Sequence, residues 1–124
     1  MEEIKIRKIS AALASAVMAS AGLTDPDKGI DSQRIAETGE NFELTTPEGV
    51  GVFTVRRLSN TLWVAGAGSE KSEGLLKHGL PIVEAMAKLE GLERVGFQTA
   101  RPGLVRIAKR HGYRIAGIIL EKRI

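Results

Sequence analysis

The chain contains no cysteine. Disulfides, thiol catalysis and thiolate-held metals are therefore excluded. Aromatic residues are scarce, five in 124 (Phe42, Phe53, Trp63, Phe97 and Tyr113), so any core must be largely aliphatic. No apolar run approaches the roughly 20 residues of a membrane-spanning helix. The opening MEEIKIRKISAALASAVMASAGL has the outline of a secretory leader. Glu2 and Glu3 stand where such a leader is positive, and the stretch is Ala/Ser-rich rather than strongly apolar, so none is expected. Excess charge is small: 18 Lys and Arg against 15 Asp and Glu give +3, too little to argue for nucleic acid. What is present is 43% apolar and 27% charged residues, the composition of a globular protein. A single domain spanning 1–124 is expected.

The last third is the most legible. Leu92 to Thr99 is rich in strand formers. Arg101-Pro102 then opens a helix, where a missing N–H costs nothing. Leu104, Ile107, Ala108 and His111 fall at helical spacing, with Arg106, Lys109 and Arg110 opposite. Gly112 ends the helix, and Tyr113 to Lys122, with Ile115, Ile118, Ile119 and Leu120, predicts a final strand.

Upstream, Ile4 and Ile6 alternate with Lys5 and Arg7 as a short strand. Ser10 is placed to cap an Ala-rich helix that Gly22 stops. Residues 24–40 are polar and loop-like, with Asp25-Pro26-Asp27 and Gly29, and a short helix is expected around Ser32 to Thr38. Asn41–Thr46, Val50–Leu58 and Thr61–Ala67 are strands joined by short turns, an antiparallel meander. Gly68 to Gly79 reads as a loop. Pro81 either starts a helix running to Glu90 or kinks a longer one beginning near Gly74. The crossover from the strand at Trp63 to that at Phe97 predicts parallel neighbours. The fold class is therefore α/β (α+β), a mixed and mostly antiparallel sheet with helices on both faces.

This order, with its strand–helix–Gly–aromatic–strand tail, resembles the GCN5-related N-acetyltransferase (GNAT) superfamily. Gly74 stands at the first glycine of the family's phosphate loop, and His111-Gly112-Tyr113 at its x-Gly-Phe. The resemblance implies acetyl-CoA, or another acyl-CoA, lying between the strands around Trp63 and Phe97. Backbone groups at Val64 and Ala65 would hold the pantetheine and polarise the thioester. Lys71, Gly74 and Leu75 would meet the pyrophosphate at a helix start. The acceptor would be an amine, and no metal is called for.

The departures are specific. Leu76 replaces the loop's second small residue, and Glu70 and Glu73 are acidic there. Ala108 occupies the place of the family's acid tyrosine, and Arg101 that of an asparagine. The strand at Trp63 has no glutamate base, which leaves His78 as the candidate base, although as a histidine in a surface loop. Tyr113 is a displaced acid or a core aromatic, and Trp63 is core or a ligand wall. His111 reads as a capping or packing residue. Three functions follow: an N-acyltransferase acting on an amine; a catalytically degenerate binding or structural module, of the kind bacteriophages encode and sometimes package in the virion; or a nucleic-acid-associated protein using its arginines. A cytoplasmic or virion location, and a homo-oligomer built through the last strand, are the matching expectations.

Overall fold

Alternating apolar residues on a pleated backbone must place successive side chains on opposite faces, and the central strands do so. In the computed structural model, which describes residues 4–25, 30–69, 72–99 and 101–124, nine elements follow one another. They are β1 (Lys5–Ile9), α1 (Ala11–Ser20), α2 (Ser32–Glu37), β2 (Glu40–Thr46), β3 (Gly49–Leu58), β4 (Thr61–Ser69), α3 (Ser72–Leu89), β5 (Arg94–Phe97) and α4 (Pro102–Arg110). The strands form one sheet in chain order. β1 to β4 are antiparallel, while β4 and β5 are parallel, as the crossover through α3 requires. The expected fold class and its parallel pair are both found.

Local signals account for most boundaries. The Ser10 hydroxyl accepts from the Leu13 N–H at 3.2 Å, and Gly22, at φ 86°, turns the chain out of α1. Asp31 caps α2 by accepting from the Gln33 N–H at 3.0 Å. The Asp-Pro-Asp turn expected just before it falls mostly at 26–29, outside the described residues.

The two faces of the sheet bury separate cores. Leu44, Phe53, Val55 and Leu62 meet Val83 and Ala87 of α3. On the other face Val52 meets Ala14 and Met18 of α1 and Ala36 of α2. Thr54, fully buried, donates to the Asn41 Oδ1 at 2.6 Å, and Asn41 Nδ2 donates to the Ala36 carbonyl at 2.8 Å. That short network ties α2 to the meander without an unsatisfied polar group. Arg57 reaches from β3 to Glu40 of β2 (Nη1 to Oε1, 2.8 Å) and to Glu90 just past α3 (Nε to Oε2, 2.8 Å).

Two expectations are corrected, and one choice between alternatives is decided. The stretch read as a loop from Gly68 to Gly79 is β4 as far as Ser69, and helix from Ser72. Of the two readings of Pro81, the longer helix that contains it is the one found. Apolar contacts of Val83 and Ala87 on the sheet hold the helix through the one hydrogen bond that proline cannot donate. Tyr113–Lys122 is not a strand: residues 113–124 have no regular structure and are largely exposed. Strand propensity alone is insufficient without a neighbouring strand to complete the ladder.

α1 lies against β4 because β4 presents glycines there. A Cβ on Gly68 would stand 2.9 Å from the Met18 Cα, and one on Gly66 2.9 Å from the Ile35 Cγ2. Gly68→Ala is expected to cost about 1–3 kcal/mol through overpacking against backbone that cannot yield. Gly79→Ala, whose Cβ meets only the Leu44 Cδ2 at 3.7 Å inside α3, is expected to be neutral or stabilising by about 0.5–1 kcal/mol. Chemical denaturation of the two variants checks the contrast.

Candidate functional site

A parallel pair stays closed only while both strands continue, and here one stops early. The β4–β5 ladder runs through four rungs, Thr61↔Arg94, Leu62↔Val95, Trp63↔Gly96 and Val64↔Phe97. β5 then ends, whereas β4 continues for five residues, Ala65 to Ser69. At about 3.3 Å per residue this leaves about 13 Å of β4 backbone, Ala65 to Gly68, with no strand on its β5 side among the described residues.

The fork coincides with a break on the other side of β4. Thr54 pairs with Gly66 but Val55 pairs with Val64, so Ala65 is the extra residue of a β-bulge. A bulge leaves its extra residue out of the ladder and bends the strand. Val64 and Ala65 therefore stand together at the branch point, the last rung of one ladder beside the skipped position of the other. Sequence inspection named these two residues but not the bulge, which only cross-strand register reveals.

β5 is held to β4 just before the fork by Trp63. Its half-buried ring lies over Gly96, where a Cβ would be 2.8 Å from Cζ3. A glycine in a strand marks such a close approach, so Gly96 was the available clue. At the last rung, Phe97 meets the ring of Tyr113 with centroids 5.7 Å apart. The Tyr113 hydroxyl donates to Glu84 Oε2 of α3 at 2.9 Å. Burial, then the hydrogen bond to Glu84 and its charge, push the phenol above its ordinary range. Tyr113 thus joins β5, α3 and the start of the tail.

α3 starts just past the end of β4. Ser72 begins the helix three residues after β4 ends, so Gly74 and Leu75 lie in its first turn, where unpaired N–H groups gather. Lys71 and Glu70 lie outside the described residues, as do the side chains of 72–75. His78 is in the second turn of α3 and is buried, not a surface-loop residue. Its Nε2 lies 3.1 Å from Glu48 Oε2 in the β2–β3 turn, which places it across β3 and β4 from the fork. Ala108 is buried in α4, and His111 caps that helix through its backbone N–H with its side chain exposed.

Among the described residues no group of three or more His, Asp or Glu could hold a metal, and no helix is long and apolar enough to cross a membrane. A shallow depression lined by Glu37–Glu40 and Val55–Leu58 lies at the opposite end of β3 from the site.

Tyr113 is the only tyrosine, so phenolate absorbance reads this group alone. In the folded protein it is expected to ionise well above 10.0, and Glu84→Gln to lower that midpoint. The sign follows. The folded phenol holds its proton longer than the unfolded one, so its contribution is complete below 10.0 and is lost as pH rises beyond it. Tyr113→Phe should flatten the alkaline fall in stability.

No protein-family model matches the chain, and no curated protein matches its sequence. Solved structures do match. The chain superposes with a TM-score of 0.63 on the aminoglycoside N-acetyltransferase AAC(6')-Iy in complex with CoA, at 13% identity, covering 100% of this chain and 96% of that one. The score is also 0.63 against a predicted acetyltransferase with acetyl-CoA from Clostridium acetobutylicum, at 11% identity over 98% and 96% of the two chains. A transcriptional regulator from Bacillus halodurans gives 0.63 at 16% identity over 98% and 100%. At these identities the likeness is one of fold: this chain has the mixed α/β fold of the GNAT acetyltransferases, over almost its whole length and theirs.

Proposed function

We propose that the chain binds an acyl-CoA at the β4–β5 fork and transfers the acyl group to an amine. The observation that carries this reading is the coincidence of three features: the ladder that stops at Val64↔Phe97, the bulge at Ala65, and the start of α3 beyond the end of β4. Together they offer an extended polar backbone edge for an amide-bearing arm, and an anion-favouring helix start for the phosphates. The structures that share the fold include one in complex with CoA and one with acetyl-CoA.

In this reading the pantetheine runs beside Ala65 to Gly68, and an N–H at the branch point polarises the thioester carbonyl. The free amine attacks the carbonyl carbon. A C–N bond forms, the C–S bond breaks, the amine proton passes to water, and the departing thiolate takes a proton from solvent. A thiol of ordinary pKa, about 8.5, leaves with little help near neutrality. Proximity then supplies most of the rate. Lys71, Gly74 and Leu75 are assigned to the pyrophosphate. His78 is committed to Glu48, and His78→Ala should leave acyl transfer nearly unchanged.

One observation favours a second reading, a fold kept for binding after the chemistry was lost. Buried Ala108 occupies the place of the acid tyrosine, and the described part of β4 offers no carboxylate base.

Thermal melting with acetyl-CoA separates the two acyl-CoA readings from a fold put to other use. A ligand at 100 times its dissociation constant stabilises by about 2.7 kcal/mol. The proposal expects a rise in Tm that Ala65→Pro abolishes, together with release of free thiol when amines are added. No shift at millimolar acetyl-CoA would refute it, and a shift without thiol release would select the binding reading.

A further inference from the structure

The depression at the far end of β3 is lined by a cation that the fold leaves without an anion. It measures about 440 Å3, within the range of small-molecule sites, and runs between the end of α2 and the end of β3. Arg56 and Arg57 both line it, in different states. Arg57 is committed: its guanidinium serves Glu40 and Glu90, at 2.8 Å each. Arg56 is half-buried, its Nε is enclosed with no acceptor, and among the described residues it makes no ion pair. A buried donor without a partner is unfavourable, and an apolar side chain at this position would avoid it.

Local packing keeps the arginine there. Its stem passes close to the backbone at Gly39, where a Cβ would stand 3.1 Å from the Arg56 Cγ and 2.6 Å from the Val55 carbonyl oxygen. On the other side Arg56 is the cross-strand partner of Trp63, so the two side chains share one face of the sheet. Glu37 lines the same depression. Its Oε1 accepts from the neutral Gln33 Nε2 at 3.0 Å, and among the described residues no cation reaches it. An unpaired cation and an unpaired carboxylate thus line one depression without meeting. Leu58, 53% exposed, adds an apolar patch to the same wall.

We infer that this depression binds a free α-amino acid with an aliphatic side chain. Its carboxylate pairs with Arg56, its ammonium with Glu37, and its side chain lies on Leu58. A planar carboxylate suits the fork of a guanidinium, and pairing both ends selects a zwitterion over either ion alone. The depression lies at the opposite end of β3 from the fork, so the inference does not rest on acyl-CoA binding.

Trp63 is the only tryptophan and the cross-strand neighbour of Arg56, so its fluorescence reports on the depression. Titration with millimolar L-leucine, with no acyl-CoA present, is expected to give a saturable change. N-acetyl-L-leucine and L-leucine methyl ester each lack one of the two charges, and are expected to bind roughly tenfold to a hundredfold more weakly. The same weakening is expected for Arg56→Met and for Glu37→Gln. Without ligand, Arg56→Met is expected to unfold at the same or a higher denaturant concentration, because the enclosed donor is gone. Should Arg56→Met be destabilised or fail to fold, Arg56→Lys and Glu37→Gln decide: the lysine keeps the charge, loses the fork and should weaken binding as well. No saturable response to L-leucine, an equal response to either derivative, or undiminished binding by the variants would each overturn the inference.

Discussion

The structure depends on where two parallel strands stop sharing hydrogen bonds. Backbone N–H and C=O groups are obligatory partners, so a ladder that ends mid-strand leaves a row of groups that something else must satisfy. Among the described residues β4 keeps this row from Ala65 to Gly68 because β5 ends at Phe97, and because the bulge at Ala65 steps the register against β3 at the same point. Everything else either fixes β4 in place or sets what reaches its free edge.

The two cores do the fixing, from opposite faces. On one, α3 presses Val83 and Ala87 on Val55 and Leu62. On the other, α1 and α2 come close enough to touch the β4 backbone through Gly66 and Gly68. Trp63 over Gly96 keeps β5 attached for its four rungs, so the separation begins at one defined residue pair. The same crossover that makes the strands parallel also starts α3 just past the end of β4. The position of the fork and of a phosphate-favouring helix start thus follow from one connection.

Much of this was legible in the residues. The alternation from Asn41 to Ala67 and its short turns specified the meander, Ser10 and Gly22 bounded the first helix, and the crossover implied the parallel pair. The resemblance assigned Val64 and Ala65 to the pantetheine; the structure puts them at the last rung of the β4–β5 ladder and at the bulge. What escaped was whatever depends on partners distant in sequence. Nothing local distinguishes Ala65 from its small neighbours, since a bulge belongs to a pair of strands. His78 looked like a residue of a surface loop because Ser, Lys and Gly surround it, yet it stands four residues before Ile82, on a helix face that packs on the sheet, and meets Glu48. Pro81 left a helix start and a longer helix both open, and tertiary packing, which outweighs one lost hydrogen bond, decided for the longer one. The apolar tail has strand chemistry without a strand beside it, and no single-chain reading of its residues could reveal that.

The most direct test of the account is residue-resolved. Backbone amide resonances followed during titration with acetyl-CoA should shift at Ala65 to Ser69 and in the first turn of α3, with those of β1 and β2 unmoved. Shifts concentrated away from β4, or a spectrum that acetyl-CoA leaves unchanged, would contradict the claim that the open edge of β4 is the binding site.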